Sequence, residues 1–283
     1  MLAVTTVRTT TLSNGEPIPV LGQGTWGMAE RKHPRKVEIQ ALRTGIDLGM
    51  TLIDTAEMYA NGGAEKLVGE AISGHRDQVF LVSKVLPHNA TRSGTMNACE
   101  RSLRRLKTDR LDLYLLHWRE RVPLDETISA FQALLHDGKI RYWGVSNFDV
   151  SDMKEVVSLS GGEAVATDQV LYNLSRRGIE YDLLPWCQKR HIPIMAYSPI
   201  EQGRMLDDTT LRKIAKHHGA TPAQVALAWV IRQDKVVAIP RAGVPEHVLQ
   251  NRGALDLHLT NEDLADLDRV FPPPSEPRSL EMI

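Results

Sequence analysis

Residues 111–117 read Leu-Asp-Leu-Tyr-Leu-Leu-His, and residues 79–84 read Val-Phe-Leu-Val-Ser-Lys. Both stretches are short and nearly continuous in apolar residues, a pattern typical of β-strands that are buried on both faces of a parallel sheet. Each stretch ends on one polar residue, His117 or Lys84. This change from apolar to polar predicts two buried strands whose carboxyl ends carry functional side chains, as in an α/β barrel.

Similar strand-like stretches alternate with helix-like ones along the rest of the chain. Apolar residues between positions 64 and 72 recur at i, i+3, i+4, i+7 and i+8, which indicates one buried helical face. Eight strands alternating with helices over about 250 residues predict an α/β fold, a (β/α)8 TIM barrel with its active site and cofactor at the C-terminal strand ends. The predicted strands are residues 20–21, 51–54, 79–83, 111–117, 140–145, 164–169, 192–198 and 236–240.

Two features near the ends of the chain fall outside this alternation. Asn14 and Gly15 separate two strand-like stretches and favour a two-residue turn, so a β-hairpin is expected over about residues 8–19. Three prolines at positions 272–274 begin a tail over about residues 272–283. Because no linker-like composition divides the chain, we expect one barrel domain over residues 1–283.

Composition and charge argue against several classes of function. Lys and Arg number 34 against 35 Asp and Glu, so the chain offers no basic footprint for nucleic acid or an anionic membrane. No apolar run reaches the roughly 18–20 residues of a membrane span, and the first residues lack a signal-peptide pattern. Cys99 and Cys187 suit neither a disulfide framework nor a Cys-x-x-Cys metal site. We therefore expect a cytoplasmic protein with two free thiols, no metal, and no nucleic-acid or membrane partner.

Residues 22–27, Gly-Gln-Gly-Thr-Trp-Gly, match the G-x-G-x-x-G pattern of Rossmann dinucleotide sites. The context argues against such a site. No helix-like stretch follows before Pro34, bulky Trp26 lies beside a glycine that should pack closely, and the acidic residue expected about twenty positions on is missing. We interpret the glycines as positions where the backbone leaves the first strand sharply and approaches a bound ligand.

Polar residues follow most of the predicted strands, at the ends that a barrel brings to one mouth. A role as helix caps or turn residues would explain Ser146 and Asn147. Lys84 just inside a strand end and His117 after two leucines fit a functional role better. The residues at the predicted mouth are Thr25, Trp26, Asp54, Lys84, His117, Trp118, Ser146, Asn147, Asp168, Gln169, Tyr197, Ser198 and Arg241.

A phenol, an ammonium, a carboxylate and an imidazole are expected together there, because Tyr59 follows Asp54 by five residues. A free tyrosine has a pKa of about 10; the Lys84 ammonium should lower it, and Asp54 should keep that ammonium charged. The His117 imidazole can donate a hydrogen bond to a substrate oxygen. The set suits protonation of a carbonyl oxygen, and a nicotinamide cofactor is implied because no side chain supplies a hydride.

The chain resembles the aldo-keto reductases through motifs that follow the family order from about residue 15 to 265. It is most similar to bacterial members that reduce methylglyoxal and other small aldehydes, through Glu57-Met58 and the stretch 177–187. The resemblance implies an NADPH-dependent reductase of small aldehydes and ketones, including methylglyoxal-like dicarbonyls and aromatic aldehydes. The motifs are Gly-Gln-Gly-Thr-Trp, Leu-Ile-Asp-Thr-Ala-Glu-Met-Tyr, Val-Ser-Lys-Val, Leu-Tyr-Leu-Leu-His-Trp, Gly-Val-Ser-Asn-Phe, Ala-Tyr-Ser-Pro and Ile-Pro-Arg-Ala.

The resemblance also implies a role for each site residue. Tyr59 is the general acid, Lys84 tunes it while paired with Asp54, and His117 orients the carbonyl group. Trp26, Tyr59, His117 and Trp118 line the substrate pocket. The carboxamide of NADPH or NADP+ is held by Ser146, Asn147 and Gln169, and Tyr197 stacks on the nicotinamide. The remaining cofactor residues are Gly24, Thr25, Trp26 and Asp54, then Ser198, Pro199, Ile200 and Gln202 along the pyrophosphate, and Arg241, Ala242, His247, Gln250 and Asn251 around the 2′-phosphate.

Several positions depart from the family pattern. Arg241 replaces a lysine, which keeps phosphate binding and allows a bidentate contact. His247 replaces an arginine and is fully charged only when protonated, so we expect weaker or pH-dependent NADPH binding. Asp168 replaces an asparagine and has no assigned role. The loops after His117 and Ser198 and the tail after Phe271 are short, which predicts an open pocket, modest substrate selectivity and fast cofactor exchange. Short loops also permit a monomer, which is the oligomeric state that we expect.

Two other functions stay open on the residues alone. Lys84 could form a Schiff base with a carbonyl substrate, as in a barrel lyase. Alternatively, the chain could bind its cofactor as a redox-sensing or interaction subunit with little turnover. A panel of carbonyl compounds tested with NADPH and NADH separates these readings from a reductase.

Overall fold

The computed structural model describes residues 7–30 and 32–283. The expectation about a signal peptide concerns residues before position 7 and lies outside the described residues. An antiparallel hairpin of β1 (Thr9–Thr11) and β2 (Pro17–Pro19) comes first. The parallel strands that follow are β3 (Gln23–Gly24), β4 (Leu52–Asp54), β5 (Phe80–Val85), β6 (Leu111–Leu116), β7 (Ile140–Ser146), β8 (Asp168–Leu171), β9 (Ile194–Tyr197) and β10 (Val236–Ala238).

Helices occupy the connections between the parallel strands. Strands β3 to β10 pair in chain order within one sheet of eight strands, which confirms the predicted (β/α)8 barrel. The helices are α1 (Arg35–Asp47), α2 (Gly63–Ala71), α3 (Arg92–Leu106), α4 (Leu124–His136), α5 (Val150–Ser158), α6 (Leu183–Gln188), α7 (Thr209–His217), α8 (Pro222–Ile231), α9 (Pro245–Gly253) and α10 (Asn261–Val270).

The barrel closes between its first and last strands through two isolated bridges. Leu21 pairs with Ala238, and Gly24 pairs with Arg241. A Cβ atom on Gly24 would lie 2.6 Å from the Ile239 carbonyl oxygen, so this glycine is required for closure. The close contact with the neighbouring strand accounts for the glycine at position 24, and the approach of its backbone to a ligand stays a prediction. No helix follows residues 22–27 before α1 in the described part of the chain, as expected for a site that is not Rossmann-like.

The hairpin turn has three residues, and the predicted two-residue turn is wrong. The Leu12 amide donates to the Glu16 carbonyl, and the Gly15 amide donates to the Leu12 carbonyl, both at 2.9 Å. Gly15 adopts a φ of 92°, as a type I turn followed by a left-handed residue requires. Leu12 and Ile18 pack into the same apolar cluster as Leu113, so the hairpin joins the barrel interior.

Two strands begin three or more residues after their predicted starts. The first barrel strand is Gln23–Gly24, three residues further along the chain than the predicted 20–21. The strand predicted from Ala164 begins only at Asp168, because Gly162–Ala164 forms a 3-10 helix. Apolar residues before a strand continue the core without joining the ladder, and periodicity alone does not separate the two cases.

Three helices begin with reciprocal capping boxes. The predicted Thr221 cap is present: its side chain accepts from the Gln224 amide, and the Gln224 side chain accepts from the Thr221 amide. Thr260 and Asp263 form the same arrangement at α10, and Asp149 starts α5 in this way. Such caps satisfy amide groups that the helix itself leaves free, and so fix where each helix begins.

Two expectations drawn from composition can be compared with the structure. No helix in the described ranges is long and apolar enough to cross a membrane. Cys99 and Cys187 are both buried free thiols. Burial raises the pKa of the Cys99 thiol to about 12, so it stays protonated and unreactive at neutral pH.

Gly69 in α2 gives a test of how closely the outer helices pack. A Cβ atom there would lie 2.6 Å from the Leu106 carbonyl oxygen of α3. We expect Gly69→Ala to lower the free energy of unfolding by about 1–3 kcal/mol, although alanine is the better helix former by about 1 kcal/mol. Urea unfolding measures the change, and the exposed Lys66→Ala on the same helix should stay within about 0.5 kcal/mol. A stabilised Gly69→Ala would contradict the close helix contact.

Candidate active site

A buried ion pair lies at the carboxyl ends of β4 and β5. The Lys84 ammonium is fully buried and donates to both oxygens of Asp54, at 2.8 and 2.7 Å. It also donates to the Thr55 carbonyl at 2.9 Å. Burial lowers the pKa of Lys84, and the Asp54 carboxylate opposes that change, so the pair keeps an ammonium inside the barrel.

Tyr59 reaches this pair from the loop after β4. Its hydroxyl lies 3.3 Å from the Lys84 ammonium, which donates to it. Ala60 and Asn61 follow with φ values of 49° and 52°, a left-handed backbone that is costly for residues with a Cβ. This strained turn fixes the direction of the phenol ring, and sequence patterns gave no sign of it.

The pKa of Tyr59 departs from the expected direction. We expected the Lys84 ammonium to lower it, but burial raises the pKa of Tyr59 well above its usual value, and the Asp54 charge raises it further. The phenolate would have to exist in a largely desolvated site and near a carboxylate, and both effects disfavour it. Tyr59 is therefore protonated at neutral pH, which is the form that a proton donor requires.

His117 completes the set from the end of β6. Its ring centroid lies 5.8 Å from that of Tyr59, in an edge-to-face arrangement. Burial, aided by the Lys84 charge, lowers the pKa of His117 to about 2, so the imidazole is neutral. Its buried Nδ1 has no hydrogen-bond partner in the described residues. A neutral imidazole with a free ring nitrogen can hold a substrate oxygen without adding charge.

A hydrogen-bond chain connects the ion pair to the next strands of the barrel. The Gln169 amide donates to Asp54 Oδ1 at 2.8 Å, and Ser146 Oγ donates to the Gln169 carbonyl at 2.8 Å. Asn147 donates to Ser146 Oγ at 3.1 Å, and the Tyr197 hydroxyl donates to Asn147 Oδ1 at 2.9 Å. The residues that the resemblance assigned to a nicotinamide carboxamide thus converge next to the proton donor.

Two tryptophans lie at the rim of the mouth. Trp26 follows β3 and is 54% exposed, which is unusual for so large an apolar side chain. The ring of Trp118 lies 4.9 Å from that of His117, and its indole nitrogen donates to Glu120 at 3.0 Å. Both side chains suit contact with a small molecule held above Tyr59.

The turn after β9 carries three residues with a left-handed backbone. Ser198, Glu201 and Gln202 have φ values of 46°, 49° and 55°. Such a turn exposes successive amides that can bind an anion. Residues 198–202 are called the cofactor turn below; Pro199 in it is buried, Ile200 half-buried and Gln202 exposed.

Arg241 lies beside β3, where the barrel closes. Its Nη2 donates weakly to the Gly27 carbonyl at 3.5 Å, and its buried Nε has no partner in the described residues. A half-buried guanidinium with spare donors is suited to an anion. The remaining predicted phosphate-site residues lie after it or on α9: Ala242 and Asn251 are buried, Gln250 is half-buried and His247 is exposed.

One predicted mouth residue does not belong to the site. Asp168 precedes Gln169 on β8, so strand alternation directs the two side chains to opposite faces. The Gln169 side chain reaches Asp54 inside the barrel, and the Asp168 side chain is buried on the outer face near Cys187 of α6, whose pKa is raised by burial first and by Asp168 second. Burial raises the pKa of Asp168 well above its usual value, and neither of its carboxyl oxygens has a hydrogen-bond partner among the described residues.

Glu57 has a structural role that the sequence pattern did not indicate. Its carboxylate accepts from the Leu86 amide and from Asn89 Nδ2, both at 2.9 Å, and approaches Arg101 at 3.5 Å. It thereby joins the Tyr59 loop to the loop after β5. An acidic residue in a loop carries no periodic signal, so only the fold shows this role.

The geometry of Lys84 argues against a Schiff base. The ammonium is completely buried, and it donates to Asp54, Thr55 and Tyr59. A nucleophilic amine needs an unprotonated lone pair and a path to its substrate. This lysine has neither, which favours a supporting electrostatic role.

The fold and the site define the class as a (β/α)8 barrel with a phenol, an ammonium and an imidazole grouped at its mouth. A family model described as the aldo/keto reductase family matches residues 20–271, and the chain belongs to that family. Membership confirms the resemblance, the barrel fold and the oxidoreductase class that the motifs implied.

The chain is similar over nearly its whole length to bacterial relatives. It is 54% identical over 271 residues to methylglyoxal reductase YeaE of Escherichia coli strain K12, covering 94% of this chain and 95% of that protein. It is 33% identical to glyoxal reductase of Bacillus subtilis strain 168, covering 95% and 96%. The crystal structure of an aldo-keto reductase from Klebsiella pneumoniae in complex with NADPH is 51% identical, with a TM-score of 0.96, and the match covers 99% of this chain and 100% of that one.

His117 makes the stability of the protein depend on pH in a predictable direction. In the folded protein the His117 imidazole has a pKa of about 2 and stays neutral, whereas in the unfolded chain it binds a proton below about pH 6.5. The free energy of unfolding should therefore fall as the pH decreases below 6.5, by up to about 1.4 kcal/mol per pH unit from this group. Urea unfolding of the wild type and His117→Gln between pH 7 and 4 measures the difference. The exposed His136→Gln should leave the wild-type slope unchanged; equal slopes for wild type and His117→Gln would show that the imidazole titrates normally.

Proposed function

We propose that this chain reduces small aldehydes and ketones to alcohols with NADPH, and that its substrates include methylglyoxal-like dicarbonyls and aromatic aldehydes. The observation that carries the proposal is the convergence of a protonated phenol, a buried ammonium and a neutral imidazole. Tyr59 lies 3.3 Å from Lys84, and its ring lies 5.8 Å from the His117 ring. Few other reactions need this combination of groups.

Tyr59 gives its proton to the carbonyl oxygen as that oxygen gains negative charge. The Lys84 ammonium stabilises the resulting phenolate across the 3.3 Å contact, and Asp54 keeps the ammonium protonated and in place. His117 positions the carbonyl oxygen by donating a hydrogen bond from its neutral ring. NADPH, when bound, supplies the hydride that the carbonyl carbon receives.

The described residues fit NADPH at both ends of the cofactor. Ser146, Asn147 and Gln169 offer amide and hydroxyl groups beside Tyr59, and the Tyr197 ring is half-buried next to them. At the other end, Arg241 keeps a buried Nε without a partner in the described part of the chain, as a phosphate-binding arginine should. Gly24, Thr25 and Trp26 lie between the two ends, beside Asp54.

The choice of substrate class rests on the shape of the mouth and on the relatives. The loop after β6 runs only from His117 to the start of α4 at Leu124. Trp26 after β3 is exposed as well, so we infer that the pocket is open and selects weakly among small carbonyl compounds. Two relatives carry the names methylglyoxal reductase and glyoxal reductase, which supports small dicarbonyls as substrates of this chain.

Tyr59→Phe tests the identity of the proton donor. We expect kcat for methylglyoxal to fall by about 10²–10⁴-fold, because phenylalanine fills the same space without a proton to give. NADPH binding should remain within a few-fold of the wild type, as measured by quenching of tryptophan fluorescence. Tyr181→Phe, the same change at an exposed tyrosine, is the matched control and should keep full activity. Unchanged turnover in Tyr59→Phe would rule out this donor.

Arg241→Met tests the phosphate site. Losing a charge-assisted hydrogen bond of about 1.5–3 kcal/mol should raise KM for NADPH by roughly 10- to 100-fold and leave KM for NADH nearly unchanged. Steady-state kinetics with both cofactors measure this, and Arg269→Met, an exposed arginine of α10 paired with Asp266, is the control. A wild type that uses NADH as well as NADPH would refute the roles of Arg241 and His247.

Tight NADPH binding without turnover of any carbonyl compound would favour the alternative function, a redox-sensing or interaction subunit.

A further inference from the structure

Arg176 lies between two carboxylates that belong to different parts of the chain. It follows β8, and its Nε and Nη2 both approach Glu201 Oε1 at 3.3 Å. Its Nη1 donates to Glu281 Oε1 at 2.6 Å. Glu201 is in the cofactor turn, and Glu281 is in the tail, residues 272–283, so one guanidinium joins two segments that are 80 residues apart.

Glu201 is the buried anchor of the cofactor turn. Its carboxylate also accepts from Asn173 Nδ2 at 2.8 Å and from Arg204 at 2.8 Å. Burial alone would raise the pKa of Glu201, but hydrogen bonds from Arg204, Asn173 and Arg176 lower it, so the carboxylate stays charged. Since Glu201 has a left-handed backbone, the charge network around its side chain fixes the conformation of the turn.

The end of the tail lies near a second residue of the predicted cofactor pocket. Burial raises the pKa of Tyr197, and the backbone of Ile283 opposes that rise. Tyr197 is the residue proposed to stack on the nicotinamide. Ile283 therefore lies near the nicotinamide end of the predicted pocket, and Glu281 is joined through Arg176 to the cofactor turn at the other end.

The tail is attached at its two ends and packed loosely between them. The neighbouring Arg177 holds the start of the tail: it pairs with Asp268 at 2.7 Å and donates to the Phe271 carbonyl. A cavity of about 300 Å³ lies alongside residues 278–281 of the tail, between it and the loop that contains Arg176. Such a segment can move away from the barrel when the Arg176–Glu281 ion pair near its end breaks.

We propose that Arg176 is a positioning residue that couples the tail to the cofactor turn, so that NADPH binding and closure of the tail stabilise each other. The proposal rests on the NADPH-dependent function argued above. A bound pyrophosphate orders the turn and Glu201, and Glu201 holds Arg176 where it can reach Glu281. By linkage, the closed tail must tighten NADPH binding by the same factor by which NADPH favours closure. We expect the tighter binding to appear mainly as slower release of NADPH.

Glu281→Gln tests the coupling, since it removes one charge and keeps the shape of the side chain. The pair is about one-third exposed on each side, so a modest effect is expected. NADPH should dissociate two- to five-fold faster in stopped-flow fluorescence, and KM for NADPH should rise by a similar factor. The kcat/KM for methylglyoxal at saturating NADPH should stay unchanged, a split that a general loss of structure would not produce. Glu276→Gln, an exposed carboxylate of the same tail, is the matched control and should behave as the wild type.

A double-mutant cycle then shows whether Arg176 carries the effect. If Glu281 acts only through Arg176, then Arg176→Gln and Glu281→Gln combined should release NADPH no faster than Arg176→Gln alone. High salt should also remove the difference between Glu281→Gln and the wild type, because it screens a partly exposed pair. Additive effects of the two substitutions, or a difference that persists at about 1 M salt, would overturn the coupling.

Hydrogen exchange of the wild type provides a measurement that depends on no variant. NADPH should slow the exchange of backbone amides in residues 279–283, and Glu281→Gln should lose that protection. Absence of protection in the wild type, or equal NADPH release rates for wild type and Glu281→Gln, would overturn the proposal. A wild type that does not bind NADPH at all would instead refute the proposed function, so the two failures are distinguishable.

Discussion

The buried ion pair between Lys84 and Asp54 is the interaction on which the site depends. Removing an ammonium and a carboxylate from water costs several kcal/mol for each, and the cost is recovered only if every remaining donor and acceptor finds a partner. Thr55, Tyr59 and Gln169 provide those partners, from the loop after β4 and from β8. The need to satisfy both charges of one buried pair therefore fixes the relative positions of β5, of β4 with its following loop, and of β8 at the mouth of the barrel.

The same pair determines the charge of its neighbours. The ammonium and the surrounding burial keep His117 neutral, and burial together with Asp54 keeps Tyr59 protonated. In the proposed reaction, Tyr59 therefore has a proton to give, and the neutral His117 does not act as a competing cationic acid. The dependence on burial also explains why an argument from charges alone, in which Lys84 lowers the pKa of Tyr59, predicted the wrong direction.

Much of the fold could be predicted because buried parallel strands are continuous apolar runs. Strands β5 and β6 stand out in this way, and the capping signal at Thr221 placed the start of α8. The prediction was wrong where position depends on distant partners. The first barrel strand lies where Gly24 meets Arg241, more than 200 residues away. The turn around Gly15 depends on the left-handed conformation of one glycine, which the dipeptide Asn-Gly permits in more than one turn type.

The residues alone were enough to infer the alternation of strands and helices, the polar residues at the strand ends and the need for an external hydride source. Hydrophobic periodicity, composition and residue type are local properties of the chain, so they can be seen without the structure. Only the tertiary structure decided that Asp168 faces the outer helices while Gln169 reaches Asp54, that the phenol is protonated, and that Arg176 lies between Glu201 and Glu281. Burial and long-range contact decide these features, because the strength of a charge depends on the protein that surrounds it.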